Sequence, residues 1–153
     1  MEIRRATESD YPTVAALSAE VGELHHEALP HIITPDPISE NAFHEVLADS
    51  ECTTLLAIDE GQAVGYIIYR IVEQPASDFF YAQRSLYIQE CGVNQAHQRK
   101  GYGEALMNQA VEAAKKQGIS RITLNVWAFN QGAVAFYERL GFKALTIKMA
   151  REL

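Results

Sequence analysis

Residues 93–106 read VNQAHQRKGYGEAL. Gly101 and Gly103 stand there beside Arg99 and Lys100. Glycine has no Cβ, so a ligand can approach its backbone closely. If a strand ends at Val93 and a helix begins near Gly101, the first amides of that helix have no internal partner. Those amides and the helix dipole favour an anion. Residues 98–104 therefore read as a cradle for phosphate or pyrophosphate. A plain strand-to-helix turn, using glycine for its backbone angles, is the competing reading. Two better-known phosphate loops do not fit. A dinucleotide fingerprint needs a third glycine where Leu106 stands, and a Walker loop needs G-x-x-x-x-G-K-[ST], which is absent.

Histidines and cysteines supply the other reactive side chains. His25, His26 and His31 flank a proline-rich stretch, but their spacing matches no ligand motif, so they are expected at the surface and no metal is expected. His97 precedes the cradle and is expected to face solvent. Cys52 and Cys91 are the only thiols. The opening MEIRRATESDYP lacks the apolar core of a secretory leader, so the two thiols are expected free, in a cytoplasmic protein.

The elements that must hold these groups follow from periodicity. Residues 2–6 alternate weakly, as in a short strand. Val14, Leu17, Val21 and Leu24 recur at helical spacing, with Thr7 or Ser9 available as a cap. Three prolines make residues 28–38 an irregular loop. A helix over 39–49 starts at Ser39 and places Phe43, Val46 and Leu47 on one side. Residues 53–59 and 63–74 read as strands joined by a turn at 59–62, and 84–93 as another. Residues 101–118 form the clearest helix, with Leu106, Ala110, Ala113 and Ala114 on a stripe and Gly118 as its stop. A strand over 121–127, a short helix over 130–141 and a last strand over 142–150 follow. Leu145, Ile147 and Met149 share one face of that last strand. A block of strands that then alternates with helices predicts an α/β or α+β sheet with helices on both faces.

Composition sets the outer bounds. The 153 residues are expected to form a single domain over 1–153, with 48% hydrophobic and 22% charged residues. The formal net charge of −7 argues against a nucleic-acid partner, which needs clustered positive charge. No stretch approaches the roughly 20 apolar residues of a membrane span.

The segment Gln98-Arg99-Lys100-Gly101-Tyr102-Gly103 with Val93 five places earlier, followed by Asn130 and then AFYERLGF, resembles the GCN5-related N-acetyltransferase (GNAT) family. Both motifs stand in the family's order and separation. The resemblance implies a mixed, mostly antiparallel central sheet of about six to seven strands, with helices on both faces and a splayed strand pair. It implies acetyl-CoA as co-substrate. Its pyrophosphate would lie on the backbone amides of Gln98, Arg99, Lys100, Gly101, Tyr102, Gly103 and Glu104. Its pantetheine would pair with the backbone of Cys91 and Val93 like an added strand, and Asn130 would touch that arm or order the site. Tyr137 would reprotonate the departing thiolate. Gln95 replaces a proline common in the family. Tyr87 or Gln89 replaces a strand glutamate that some members use as base.

The implied reaction is transfer of acetyl to the primary amine of a small molecule, directly, within a ternary complex. An alkyl ammonium has a pKa near ~10.4, so at pH 7 fewer than about one in a thousand are neutral and a base helps. Glu90 is the nearest candidate base, directly or through water. Simple alternation places it on the face opposite Gln89 and Cys91. A solvated Glu90 is the competing reading. An acyl-Cys91 intermediate lacks a His-Asp partner pattern. Amides near Val93 are candidate donors to the oxyanion. Glu23, Glu27, Asp36, Phe79, Tyr81 and Trp127 are candidate walls of the acceptor pocket. A protein amine as acceptor and a non-catalytic acyl-CoA-binding module are the rivals. A homodimer is a reasonable expectation, with the apolar last strand as a possible interface.

Overall fold

A computed structural model describes residues 1–153. Five strands form one sheet: β1 (Glu2–Arg5), β2 (Cys52–Asp59), β3 (Gln62–Gln74), β4 (Gln83–Val93) and β5 (Ile122–Leu124). They lie in the order β1-β2-β3-β4-β5. The first three pairings are antiparallel and β4–β5 is parallel. The expected count of six to seven strands is corrected to five. Residues 142–150, expected as the last strand, form no strand in the chain. The strand expected over 121–127 shortens to Ile122–Leu124.

Four helices cover the sheet. Helices α1 (Tyr11–Ala28) and α2 (Glu40–Ala48) lie on one face, where Val14, Leu17 and Phe43 pack against Leu56, Ile58, Tyr66 and Ile68. Helix α3 (Tyr102–Lys116) lies on the other, where Leu106, Met107, Ala110 and Ala114 meet Leu55, Ile67, Leu86 and Ile88. Helix α4 (Gln131–Arg139) joins that second core through Phe136 and Tyr137. The small alanines on the α3 stripe let its backbone approach the sheet. Ser39 caps α2 by accepting from the Ala42 amide at 3.2 Å. The start of α1 is more elaborate than a single cap. Thr7 opens a short 3-10 turn, and Asp10 then precedes the helix and binds Arg4 at 2.7 and 2.8 Å.

One irregularity shapes everything downstream. In the β3–β4 ladder Ile68 faces Glu90 and Tyr69 faces Ile88, so Gln89 has no partner. This is a β-bulge, which bends a strand and re-aims the side chains after it. Before it, Leu86 and Ile88 belong to the α3 face; after it, Cys91 and Val93 do. Two steps separate the residues of each pair and three separate Ile88 from Cys91, so the bulge has shifted the alternation.

Candidate active site

The pairing of β4 with β5 covers only Leu86–Ile88 against Ile122–Leu124. Beyond Ile88 the two strands part. The Asn94 amide donates to the Val64 carbonyl at 2.8 Å, toward β3. Backbone alternation then turns the N–H and C=O of Val93 and Cys91 into the gap on the other side. The gap is a slot between two diverging parallel strands, with one hydrogen-bonding edge exposed along it.

At the end of the slot lies the bend before α3. From Arg99 through Glu104 no backbone amide has a hydrogen-bond partner within the protein. Arg99 has φ 60° and Gly101 has φ 90°, a left-handed pair that turns successive N–H groups to the same side. No other atom lies within 4 Å of the point where a Gly101 Cβ would stand. An unpaired run of amides, a helix N-terminus and open space together fit a diphosphate. Gln98 departs from expectation. Its amide makes a long contact to Gln95 O at 3.4 Å, and its side chain donates to Val93 O at 3.2 Å. It staples the bend to the strand, and the free amides begin one residue later. Asn94 adds a second staple, donating to Glu20 of α1 at 2.6 Å, while the Gln95 amide donates to the same carboxylate at 3.1 Å. Nothing in the spacing of the sequence pointed to Glu20.

Slot and bend open into a cleft of about 1230 Å³ that passes through the sheet plane. Cys91, Val93, Arg99, Gly101, Tyr102, Gly103, Glu104, Asn130 and Tyr137 all line it, as does Glu90. Lys100 is exposed beside it. Asn130 caps α4 by accepting from the Ala133 amide at 3.1 Å, so its first task is to start the helix that carries Tyr137. The Tyr137 ring packs edge-on against Phe142, with ring centres 5.8 Å apart. Burial holds the Tyr137 phenol protonated well above the ordinary tyrosine range, and the neighbouring Cys91 adds to that effect. Burial also pushes the Cys91 thiol up to about 12, so at neutral pH it is not the thiolate an acyl-cysteine step needs.

The bulge corrects the expected faces. Gln89 and Glu90 share the α1–α2 face: Gln89 accepts from Cys52 Sγ at 3.5 Å and Glu90 accepts from Tyr66 Oη at 2.8 Å. Glu90 remains opposite Cys91, as expected, but not opposite Gln89. Tyr66 is fully buried, and it presses against β4 at Gly92. A Cβ on Gly92 would stand 2.8 Å from Tyr66 Cε1 and 3.0 Å from Val21 Cγ2. Only glycine admits the ring there, which is how the phenol reaches Glu90.

On that same face the cleft is walled by α1 and the segment before α2, including Ser18, Gly22, His25, Asp36 and Pro37. Trp127 joins from beyond β5 and stacks on Phe129 at 6.1 Å. His25 meets Phe129 edge-on at 5.7 Å, and burial lowers its pKa, which favours the neutral ring. Of the expected walls, Asp36 and Trp127 are present. Glu23 and Glu27 point elsewhere on α1. Phe79 and Tyr81 sit on the hairpin between β3 and β4, 89% and 91% exposed, far along the sheet from the cleft. His26, in the last turn of α1, reaches into the following loop, its Nδ1 2.6 Å from Ile33 O. His31 is exposed and outside the cleft. His97, expected at the surface, is half-buried against Tyr102. No group of three or more His, Cys, Asp or Glu side chains stands close enough to hold a metal ion. No helix is long and apolar enough to cross a membrane.

Comparison with known proteins identifies relatives of this chain. A family model described as acetyltransferase (GNAT) family matches residues 18–142. The uncharacterized N-acetyltransferase YycN of Bacillus subtilis is 29% identical over 99 residues, 64% of this chain and 59% of YycN. The chain thus spans about three fifths of that relative. The [ribosomal protein bS18]-alanine N-acetyltransferase of Escherichia coli is 39% identical over 56 residues, 37% of this chain and 38% of its own. The crystal structure of a tetramutant of the BH1408 protein from Bacillus halodurans superposes with a TM-score of 0.96 at 26% identity, covering 100% of both chains.

Proposed function

The chain belongs to the acetyltransferase (GNAT) family, and on that premise we propose that it moves acetyl from acetyl-CoA to the primary amine of a small molecule, directly, in a ternary complex. The observation that carries this reading is the run of unpartnered amides from Arg99 to Glu104 at the mouth of the β4–β5 slot. Those amides would hold the diphosphate. The exposed backbone of Cys91 and Val93 would pair with the pantetheine amides, adding a strand-like neighbour to β4. The co-substrate supplies an activated acyl group as a thioester.

The residues on the α1–α2 face then act on the acceptor. Glu90, fixed by the Tyr66 hydroxyl at 2.8 Å, accepts the proton that the ammonium must lose, directly or through water. The Val93 N–H, turned into the slot, donates to the oxygen that gains charge as the amine attacks. Tyr137 offers its phenol proton to the departing sulfur from the α3–α4 side. Base and acid thus approach from opposite faces of the sheet, through the slot. The raised pKa of the Cys91 thiol supports direct transfer over a covalent relay.

The wall formed by α1 and residues before α2 supports a small acceptor. A peptide N-terminus is the second reading, favoured by the partial match to the bS18-alanine acetyltransferase. The free state of Cys52 and Cys91 supports a reducing, cytoplasmic setting. Titration of acetyl-CoA against thermal unfolding tests the first half of the proposal. A ligand bound only by the native state must raise the melting temperature with concentration, and no shift at millimolar acetyl-CoA refutes it. Release of free CoA in the presence of a library of small amines, against one of peptide N-termini, decides the acceptor.

A further inference from the structure

A second groove lies under the C-terminal half of α3, at the other end of that helix from the cradle. It encloses about 530 Å³, within the roughly 300–1,000 Å³ of sites that take small molecules. It shares no lining residue with the cleft. The floor is apolar: Leu55 of β2 and Ile71 of β3 lie there with the ring of Tyr69, all on the α3 face of the sheet. Helix α3 supplies one wall through Glu112, Ala113 and Lys116, which the helical repeat sets on one side. Arg84 of β4 ties down the end of that wall, donating to Gln117 O and Gln117 Oε1, both at 3.1 Å. Arg5 joins from β1, the edge strand of the sheet.

The groove holds polar groups that the fold leaves unused. Tyr69 is only 7% exposed, and its hydroxyl bonds to no other group of the chain. Nor is that hydroxyl sealed in the core, since the one buried side-chain polar atom without a partner is Thr54 Oγ1. The exposed remnant of Tyr69 is therefore its hydroxyl end, and it opens on the groove. The charges divide in the same way. Arg84 is held by Glu73 at 3.2 Å and Glu112 by Lys115 at 2.8 Å. Arg5, Lys116 and Glu51 have no ion-pair partner, which leaves a surplus of one positive charge. The chain as a whole carries −7, so the groove reverses its sign locally. The C-terminal end of α3 brings partial negative charge here, and the lysines of its last turn offset it.

We propose that this groove is a second ligand site, which takes a small monocarboxylate with an apolar body. The carboxylate occupies the charge left unpaired on Arg5 and Lys116 and accepts from the Tyr69 hydroxyl. Bonds of that kind, with one partner ionised, are about twice as strong as neutral ones. The apolar body covers Leu55 and Ile71, removing their remaining surface from water. The ligand binds in addition to the co-substrate and the amine, so the inference stands whichever amine is the acceptor.

Isocaproate is the probe, and isocaproamide is its neutral counterpart of nearly the same shape. Each is titrated to millimolar concentration into the isotope-labelled full chain and followed by amide chemical shifts. Isocaproate is expected to give saturable shifts at Thr53, Leu55, Ile71 and Ala113 and none at Cys91 or Val93. Its affinity should exceed that of isocaproamide by about tenfold or more. Arg5→Gln combined with Lys116→Gln changes two exposed side chains and should leave the melting temperature and circular dichroism as they are. This variant should bind isocaproate about tenfold more weakly and isocaproamide within about twofold of wild type. Tyr69→Phe removes one hydroxyl and should weaken isocaproate by about fivefold or more. Absence of saturable shifts at the groove, shifts confined to the cleft, or equal binding of acid and amide overturns the proposal. So does a folded Arg5→Gln, Lys116→Gln variant that binds isocaproate as tightly as wild type.

Discussion

A phenol that burial keeps protonated can give a proton but cannot take one in the neutral range. In the proposed mechanism this fits Tyr137 to the leaving-group side of the reaction. Tyr137→Phe keeps the ring that packs on Phe136 and Phe142 and removes only the hydroxyl. Turnover should fall by about a hundredfold, the low end of what a positioned acid contributes, with the KM for acetyl-CoA changed by less than about twofold. Unchanged kcat in steady-state assays would remove Tyr137 from the chemistry. Because the acid form is the active one and its pKa is raised, the loss of this proton should leave no alkaline limb in kcat below the ordinary tyrosine range. Glu90 lies on the other face, where the proposed mechanism makes it the base. Glu90→Gln retains an acceptor for the Tyr66 hydroxyl but no longer takes a proton. It should lower kcat/KM for the amine about tenfold or more at pH 7. The deficit should shrink as rising pH deprotonates the amine in solution, and a deficit that stays constant across pH assigns Glu90 to packing instead.

Elements explain why some of the site was readable in the chain and some was not. The cradle was legible because its requirements are local: Gly101 takes φ 90° and the helix start follows at once in the sequence. Gly101→Ala meets no atom within 4 Å, so its effect comes from the backbone alone, about 1–2 kcal/mol for a non-glycine residue held left-handed. The expected result is a weaker acetyl-CoA affinity by calorimetry, with the bend relaxed out of its cradle. The Tyr66–Glu90 pair was not legible, because it depends on one unpaired residue. Gln89 carries no sequence mark of a bulge, yet it moves Glu90, Cys91 and Val93 by one step relative to simple alternation. The last strand illustrates the reverse. Residues 143–150 alternate like a strand but form none in this chain, because period alone does not supply a pairing partner. Gly92→Ala tests the bulge geometry. With 2.8 Å to the Tyr66 ring, the added methyl must displace the ring or the strand, a cost of about 1–3 kcal/mol by urea unfolding. Amine turnover should fall along with stability, because the same ring positions Glu90.

For the whole molecule, the sheet has separate cores on its two faces, and the cleft passes between them. The slot weakens the sheet at β4–β5, so the opposite edge must be anchored well. There β1 is only four residues long, too short to be secure through its ladder alone. Arg4 reaches out of it to Asp10 at the start of α1, two bonds at 2.7 and 2.8 Å, and Asp10 also accepts from the Thr7 amide at 2.8 Å. The Arg4 guanidinium and these donors hold the Asp10 carboxyl well below the ordinary carboxylate range. A carboxyl depressed in the native state stabilises the fold fully above its unfolded pKa, near ~3.9. That contribution fades as pH falls below it toward the native value. Wild type and Asp10→Asn should therefore differ most in urea unfolding free energy near pH 7 and progressively less as pH falls from about 4 to about 2. Arg4→Gln should lose the same pH-dependent increment, since it removes the other half of the contact. If the gap between wild type and Asp10→Asn were constant over that range, the β1–α1 clasp would be a packing contact and not an electrostatic one.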